Sequence, residues 1–314
     1  MISELPRLVV ILGPTASGKS ELGIRLAEQL SGEILVCDST QVYRHFDIGT
    51  AKVPPAERRG IPHHLIDLVE PTQVFTAGDY RRRAVEVLAD LRARHKTPIL
   101  TAGTGLYLRA LLEGLADAPT RSDDLRDRLR ARAERHGAEY LHRLLARLDR
   151  GTAARIAPRD TQKIIRAIEI RVLAGKGVAD VHAESRIGLE GYDIRKIGLL
   201  PARPALYSRI EARVVSMVEA GWLDEVRRLV ASGIPGDAKP FQFIGYAELR
   251  ACIEGSFAKD AAIGEIRQAT RRFAKRQITW FRREKGVEWL IGFGDDPNIQ
   301  AAALEIARAP LPSC

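Results

Sequence analysis

Residues 13–20, GPTASGKS, place glycines, a lysine and a hydroxyl residue in the spacing G-x-x-x-x-G-K-[ST]. In such a loop the glycines let backbone amides wrap around phosphate oxygens, and the start of the following helix adds positive potential. Lys19 would contribute a point charge, and the Ser20 hydroxyl could ligate Mg²⁺ beside the phosphates. The loop predicts a phosphate site without deciding the reaction, since kinases, ATPases and diphosphate-dependent transferases all need one.

Two further polar residues follow apolar runs. Asp38 comes directly after residues 34–37, and Thr104 stands in a glycine turn after residues 98–102. Asp38 could hold Mg²⁺, act as a general base for an incoming nucleophile, or cap a helix. Thr104 could bond a diphosphate oxygen, orient the nucleophile, or be an ordinary turn threonine. The residue types alone leave these roles open.

The elements that would position these residues alternate between strand and helix. Residues 8–12, 34–37 and 98–102 are short apolar runs typical of buried strands. Residues 20–30 and 77–94 have amphipathic helical spacing. This alternation predicts an α/β fold, a P-loop NTPase-like core of parallel strands with helices on both faces. In such folds functional residues lie at the carboxyl ends of strands, where the loop and both polar residues fall.

The middle of the chain differs in composition. From residue 120 the sequence is charged and helical in its spacing, with no strand pattern before residues 193–200. We therefore expect a catalytic core built from residues 1–119 and 193–314, and an all-helical insertion domain at residues 120–192. A last short strand is expected at residues 287–291, followed by a tail.

The chain has a formal charge of +9, which favours a polyanionic partner but does not by itself require one. At residues 267–283, RQATRRFAKRQITWFRR, no acidic residue interrupts a run of basic ones. We predict one long basic helix over residues 261–285. Its aromatic residues Phe273, Trp280 and Phe281 could stack unpaired bases of an RNA, or could simply anchor the helix in the core.

Two other helical segments present pairs of cations. Lys163 and Arg166 share one side of a helix, and Arg209 and Arg213 have i, i+4 spacing. Either pair suits a phosphate clamp, because a guanidinium binds phosphate oxygens in a bidentate fork. A solvated charged helix face is the alternative for both.

An ordered series of motifs extends over nearly the whole chain. They are GPTASGKS at residue 13, DSTQVYRHFDIGTAK at 38, IPHHLIDL at 61, AGTGLYLRALLEGL at 102, DTQKIIRAIEI at 160, IGYAEL at 244 and AKRQITWFR at 274. The series resembles the tRNA dimethylallyltransferase family, also called isopentenyl-diphosphate:tRNA isopentenyltransferases. An ordered series is more specific than a lone phosphate loop.

The resemblance implies transfer of a dimethylallyl group from dimethylallyl diphosphate to N6 of adenosine 37, next to the anticodon in tRNA. The products would be N6-dimethylallyladenosine (i6A) and diphosphate, with Mg²⁺ as the cofactor and Ser20 as its ligand. By the same resemblance, Asp38 is the general base, and Thr104 contacts the reacting amine or the diphosphate.

The resemblance also assigns two sets of binding residues. Those for diphosphate are Gly13, Thr15, Ala16, Ser17, Gly18, Lys19, Ser20 and Arg209. Those for tRNA are Asp38, Ser39, Thr40, Gln41, Thr104, Arg126, Gln162, Lys163, Ile164, Ile165, Arg166, Gln242, Gly245, Tyr246, Lys275, Arg276 and Gln277. The insertion domain is expected to contact tRNA as well.

The expected partners are therefore the tRNA anticodon stem-loop and dimethylallyl diphosphate. The sequence has no basic leader and no long apolar stretch, so we expect a cytoplasmic protein without a membrane partner. We also expect a monomer. Three other interpretations compete: a P-loop kinase for a small metabolite, a prenyltransferase for free adenine nucleotides, and a non-catalytic RNA-binding module. The long basic segment argues against the first two, and an intact phosphate loop with Asp38 argues against the third.

Overall fold

The computed structural model describes residues 5–116, 119, 121–183 and 187–310. Strands lie at β1 (Arg7–Leu12), β2 (Gly32–Cys37), β3 (His63–His64), β4 (Thr97–Ala102), β5 (Asp193–Leu199) and β6 (Val287–Leu290). Within the described residues they form one six-stranded parallel sheet in the order β3-β2-β4-β1-β5-β6. This confirms the predicted α/β fold with its parallel core.

Helices connect and follow the strands. They are α1 (Lys19–Leu30), α2 (Ala77–Ala93), α3 (Gly105–Leu112), α4 (Asp123–His136), α5 (Ala138–Leu148), α6 (Arg150–Ala153), α7 (Thr161–Ala174), α8 (Val178–Ala183), α9 (Arg203–Glu219), α10 (Trp222–Ala231), α11 (Tyr246–Ile253), α12 (Lys259–Phe281) and α13 (Pro297–Arg308). Among the described residues, none of these helices combines the length and the apolar character needed to cross a membrane.

The last part of the chain was predicted incompletely. The basic helix is present as α12, but it ends at Phe281, a fully buried residue, before the chain turns into β6. The prediction of a tail after the last strand was wrong, because α13 forms there. Asp296 caps this helix and Pro297 occupies its first turn, while Ala303 and Ala307 pack into the core beside α1.

The central strands β1, β2 and β4 are buried on both faces. Val9 and Ile11 of β1 belong to a core cluster that also contains apolar residues of α1 and α13. Leu8, Val10 and Leu12 alternate to the other face and are equally inaccessible. Strands covered on both faces read as continuous apolar runs, which is why they were recognisable in the sequence.

The register of the three neighbouring strands β2, β4 and β1 places their carboxyl ends at one level. Leu12 of β1 and Cys37 of β2 both pair with Ala102 of β4. The residues that immediately follow, Gly13, Asp38 and Gly103, therefore emerge side by side at the same edge of the sheet.

The chain forms two compact units. One contains Met1–Leu111 and Glu190–Cys314, which includes the sheet, and the other contains Leu112–Leu189. In the second unit the described residues form helices α4 to α8 and no strand. Residue 120, where we expected the insertion domain to begin, lies outside the described residues.

The helical unit contains a buried carboxylate, Glu169, on α7. It accepts hydrogen bonds from the Ser122 amide at 2.8 Å, from Arg126 at 2.8 and 2.7 Å, and from Arg166 at 2.5 Å. Burial would raise the pKa of Glu169, but these donors lower it to about 2. Glu169 thus joins α4 to α7 as a charged group with matched partners.

Candidate active site

The phosphate loop connects β1 to α1 and closes on itself. Lys19 Nζ donates to the carbonyl oxygens of Gly13 at 2.9 Å and Pro14 at 2.7 Å, so the side chain folds back across the loop. Gly18 has φ 86°, and no Cβ could be accommodated there because the backbone of Gly294 lies against it. The predicted residues 13–20 therefore form the compact, cationic loop that the motif requires.

The charge of Lys19 is held in an unfavourable environment. Burial lowers the pKa of Lys19 to about 7, while the Asp38 carboxylate raises it and the Arg213 guanidinium lowers it. An anion bound in the loop would stabilise the protonated form of the amine. The loop is consequently prepared for a ligand of high negative charge.

Asp38 and Thr104 lie in neighbouring turns: the Asp38 carboxylate is held within its own turn, and the Thr104 hydroxyl is bonded to the turn that follows Asp38. Asp38 Oδ1 accepts hydrogen bonds from the Thr40 amide at 2.9 Å and the Thr40 hydroxyl at 2.7 Å. Thr104 Oγ1 accepts from the Ser39 amide at 2.9 Å and donates to Ser39 Oγ at 3.2 Å. Both amides at residues 103 and 104 donate to the carbonyl oxygen of Cys37. The two predicted catalytic residues are therefore brought together.

Gly103 fixes where the Asp38 carboxylate can lie. A Cβ built on Gly103 would overlap Asp38 Oδ2, whereas the backbone conformation of Gly103 is one that other residues adopt. The absence of a side chain at residue 103 thus leaves room for the carboxylate beside the turn.

Arg209 and Arg213 differ in their partners, although both lie on α9. Arg209 forms a bidentate ion pair with Asp295 and stacks over the Phe293 ring with 4.4 Å to its centroid. Arg213 instead donates to Thr15 Oγ1 in the phosphate loop at 3.2 Å. Burial lowers the pKa of Arg213, with Asp38 acting in the opposite direction.

Arg213 is therefore the arginine of this pair that contacts the loop, and it is missing from the diphosphate-binding set expected from sequence. Its i, i+4 spacing from Arg209 was the available signal. That spacing placed both cations on one helix side but could not tell which one a distant carboxylate would hold.

One cavity of about 1550 Å³ is lined by Thr15 to Ser20 of the phosphate loop and by Asp38, Gly103, Arg209 and Arg213, whereas Thr104 is not among its lining residues. Lys19, Asp38 and Arg213 line its polar part. Its wall is also formed by apolar side chains, among them Ile210, Val214, Met217, Trp222, Phe243 and Phe273. A cationic loop, a carboxylate and an apolar wall in one cavity suit a ligand that joins a phosphate group to a hydrocarbon.

Several residues predicted to contact tRNA are accessible in the unit that contains the sheet. Thr40, Gln41 and Gln242 line the cavity, and Gln41 Nε2 donates to the Thr50 carbonyl oxygen at 2.9 Å. Lys275 and Arg276 are exposed on α12. These side chains are placed where a macromolecular ligand could reach them.

Gly245 and Tyr246, also in the predicted tRNA set, are buried. A Cβ at Gly245, where φ is 91°, would overlap the Trp222 ring. The Tyr246 hydroxyl donates to Glu225 Oε1 at 2.6 Å and accepts from the Gly49 amide at 3.1 Å. Both residues thus shape the cavity wall from behind. No local sequence signal had pointed to Glu225.

The predicted tRNA residues of the helical unit also include both exposed and buried side chains. Gln162 and Lys163 are exposed at the start of α7, whereas Ile164 and Ile165 belong to the core cluster of that unit. Arg126 and Arg166 are the two arginines that hold Glu169. Their side chains are 19% and 35% exposed, so they remain partly accessible while paired.

A parallel α/β sheet with a phosphate loop between β1 and α1 defines a P-loop-like protein. Comparison with known proteins narrows this class. A family model described as IPP transferase matches residues 41–284. The tRNA dimethylallyltransferase of Solibacter usitatus (strain Ellin6076) is 51% identical over 298 residues, covering 95% of this chain and 97% of that protein.

Solved structures of tRNA-modifying prenyltransferases are also similar to this chain. The full-length tRNA isopentenylpyrophosphate transferase of Bacillus halodurans is 36% identical with a TM-score of 0.69, covering 96% of this chain and 97% of that one. A eukaryotic dimethylallyltransferase, captured acting on tRNA, is 28% identical with a TM-score of 0.79, covering 91% of this chain and 74% of that one. The chain belongs to the IPP transferase family and is an enzyme of the prenyltransferase type. The resemblance found in the sequence is confirmed.

The close approach of Gly103 to Asp38 can be tested directly. Gly103→Ala should displace the carboxylate, the flexible partner in the overlap, and lower the turnover number for prenyl transfer about 10- to 100-fold. Stability measured by thermal unfolding should change little. Gly264→Ala is the control, since a Cβ there meets open space on α12. Equal turnover of the two variants would contradict the assignment of Asp38 to the site.

Proposed function

We propose that this enzyme transfers the dimethylallyl group of dimethylallyl diphosphate to N6 of adenosine 37 in tRNA, releasing diphosphate and forming i6A. The observation that carries the proposal is the shared cavity, in which the phosphate loop faces the carboxylate of Asp38. The relatives' names supply the transferred dimethylallyl group and the tRNA acceptor, and the phosphate loop supports a diphosphate as the donor's leaving group. A diphosphate leaving group needs a cationic region, which the phosphate loop provides and which we call the cationic or diphosphate pole. An amine nucleophile needs a base, which Asp38 provides and which we call the basic or amine pole.

At the cationic pole, the departing diphosphate must be stabilised as the carbon–oxygen bond breaks. The allylic carbon gains cation character while the bridging oxygen takes up negative charge. Lys19, Arg213 and the loop amides are placed to bind that charge. Arg209 can join them only by giving up its ion pair with Asp295, so we assign Arg213 the main guanidinium role.

Mg²⁺ is the proposed cofactor, with Ser20 as its protein ligand. Ser20 is exposed at the start of α1, directly after Lys19. Mg²⁺ commonly takes one or two protein oxygens, phosphate oxygens and water, and a hydroxyl beside a phosphate loop fits that mode. Among the described residues, no group of three or more His, Cys, Asp or Glu side chains could hold a metal ion. A Mg²⁺ ion bound at Ser20 would add positive charge beside the diphosphate.

At the basic pole, Asp38 takes the proton that N6 loses as it attacks. Adenine N6 is a poor nucleophile because its lone pair is delocalised into the ring, so removal of the proton during attack matters. The two hydrogen bonds from Thr40 fix the carboxylate, and Thr104 stands next to it to contact the amine or the diphosphate. Adenosine 37 must leave its stack to enter the cavity, at a cost of a few kcal/mol.

The tRNA itself would contact both units of the protein. Exposed residues carry the proposal: Gln242, Lys275 and Arg276 in one unit, and Gln162 and Lys163 in the other. Arg126 and Arg166 could add phosphate contacts while they hold Glu169. We further propose that the enzyme acts on tRNA as a monomer in the cytoplasm.

The proposal is tested by supplying purified protein with Mg²⁺, dimethylallyl diphosphate and unmodified tRNA, then weighing the digested nucleosides. Prenylated adenosine is expected with the wild-type protein. Asp38→Asn keeps the shape and the Thr40 hydrogen bonds but removes the base, and should lower the rate about 10²- to 10⁴-fold. In a parallel reaction, ATP replaces dimethylallyl diphosphate. If no prenylated adenosine forms in the first reaction and ATP is consumed in the second, a kinase is favoured instead.

The state of Lys19 gives a second expectation. Because its pKa is about 7 in the free protein, the amine is mostly neutral at pH 8, and an anion in the loop should raise that pKa. Binding of inorganic diphosphate with Mg²⁺ should therefore take up nearly one proton at pH 8 and much less at pH 6. Affinity should fall as the pH rises above about 7.

Proton uptake is measured by titration calorimetry in buffers with different ionisation enthalpies. Proton uptake by Lys19→Met at each pH measures the contribution of the ligand itself, and the difference from wild type is the contribution of Lys19. If both proteins take up the same number of protons at pH 8, the assignment of Lys19 as the titrating group is wrong.

A further inference from the structure

We propose that Gln277 is a positioning residue whose carboxamide holds the phosphate loop and the Gly103 turn at a fixed separation. The inference deepens the proposed function, since it concerns how the diphosphate pole and the amine pole of that site are kept in register. Gln277 lies on the buried side of α12, next in sequence to Lys275 and Arg276, the exposed residues that we assign to tRNA binding.

The two ends of the Gln277 side chain are engaged with different segments. Its Oε1 accepts a hydrogen bond from the Thr15 amide at 2.8 Å, and its Nε2 donates to the Gly103 carbonyl oxygen at 2.8 Å. The partners fix the orientation of the amide, because one can only donate and the other can only accept. Gln277 itself is 5% exposed.

Each partner leads directly to a reacting group. Thr15 belongs to the phosphate loop, and its hydroxyl accepts the hydrogen bond from Arg213. Gly103 packs against Asp38 Oδ2 and precedes Thr104. A displacement at either end of the carboxamide would therefore change the distance between the diphosphate and the general base.

A neutral amide of this length meets both requirements, because it offers a donor and an acceptor at its two ends. A carboxylate could accept from Thr15 but would face the Gly103 carbonyl oxygen with a second acceptor, and an apolar side chain would leave both groups unpaired. Small displacements between reacting groups are expensive in rate, because approach geometry controls the barrier.

The placement separates Gln277 from its neighbours on the same helix. Lys275 and Arg276 are exposed, so they can contact tRNA phosphates directly, whereas the Gln277 amide is inside the protein. The helix on which tRNA would dock is thus also the helix whose Gln277 side chain connects the phosphate loop to the Gly103 turn.

The test compares Gln277→Met, which keeps the length but removes both hydrogen bonds, with Arg276→Ala. For Gln277→Met we expect a dissociation constant for Mg²⁺ and inorganic diphosphate raised about tenfold, and a single-turnover rate lowered about 100-fold at saturating tRNA. Its tRNA dissociation constant should stay within about twofold of wild type. Arg276→Ala should weaken tRNA binding several-fold.

Gln277→Glu guards against a variant that simply fails to fold. A protonated carboxyl can again donate to Gly103, so its single-turnover rate relative to wild type should rise as the pH is lowered. Gly264→Ala on the same helix should alter none of these values.

Two results would overturn the proposal. One is a Gln277→Met protein whose tRNA affinity falls as much as that of Arg276→Ala while its single-turnover rate is normal, which would make Gln277 a tRNA contact. The other is unchanged diphosphate affinity together with no pH response in Gln277→Glu. Diphosphate binding is measured without tRNA, so this outcome is separate from a failure of the wild-type protein to prenylate tRNA.

Discussion

The parallel register of β1, β2 and β4 is the constraint on which the site depends. Because Leu12 and Cys37 both pair with Ala102, three turns leave the sheet at one level. A slip by one residue would reverse the faces of a strand and move its turn out of line. Because both faces of the central strands are apolar, the register is held by the close packing of side chains of different shape and not by an alternation of polar and apolar residues. Stability of the core and placement of the phosphate loop and Asp38 therefore have the same origin.

At this edge of the sheet two cations lie near one carboxylate, an arrangement that suits an anionic ligand. Lys19 and Arg213 are both held where burial lowers their pKa values, and Asp38 is the carboxylate that opposes this effect on both. Concentrating like charges costs stability, as functional sites commonly do. A bound diphosphate would remove that cost by supplying the missing negative charge. The loop thus gains affinity for anions from an arrangement that weakens the empty fold.

Local patterns predicted much of this site. The phosphate loop, Asp38 and Thr104 could be found because each follows an apolar run within a few residues. Contacts between distant segments could not be found in that way. Asp295 holds Arg209 across 86 residues, and Gln277 reaches Thr15 across 262 residues. The sequence offered two equivalent arginines on α9, and only the folded chain distinguishes them. Helix α13 was missed although the sequence carries signals for it, namely the capping residue Asp296, Pro297 in the first turn and an amphipathic spacing of apolar residues.

We propose that diphosphate and adenine meet in one cavity, between the phosphate loop and Asp38. The most direct test is a crystal structure with a non-ionising thio-analogue of dimethylallyl diphosphate and an anticodon stem-loop carrying unmodified adenosine 37. We predict the diphosphate within hydrogen-bonding distance of Lys19 and Arg213, and N6 within hydrogen-bonding distance of Asp38. A diphosphate bound outside the loop, or an adenine that remains stacked in the anticodon loop of the ternary complex, would show that the two substrates do not meet in this cavity.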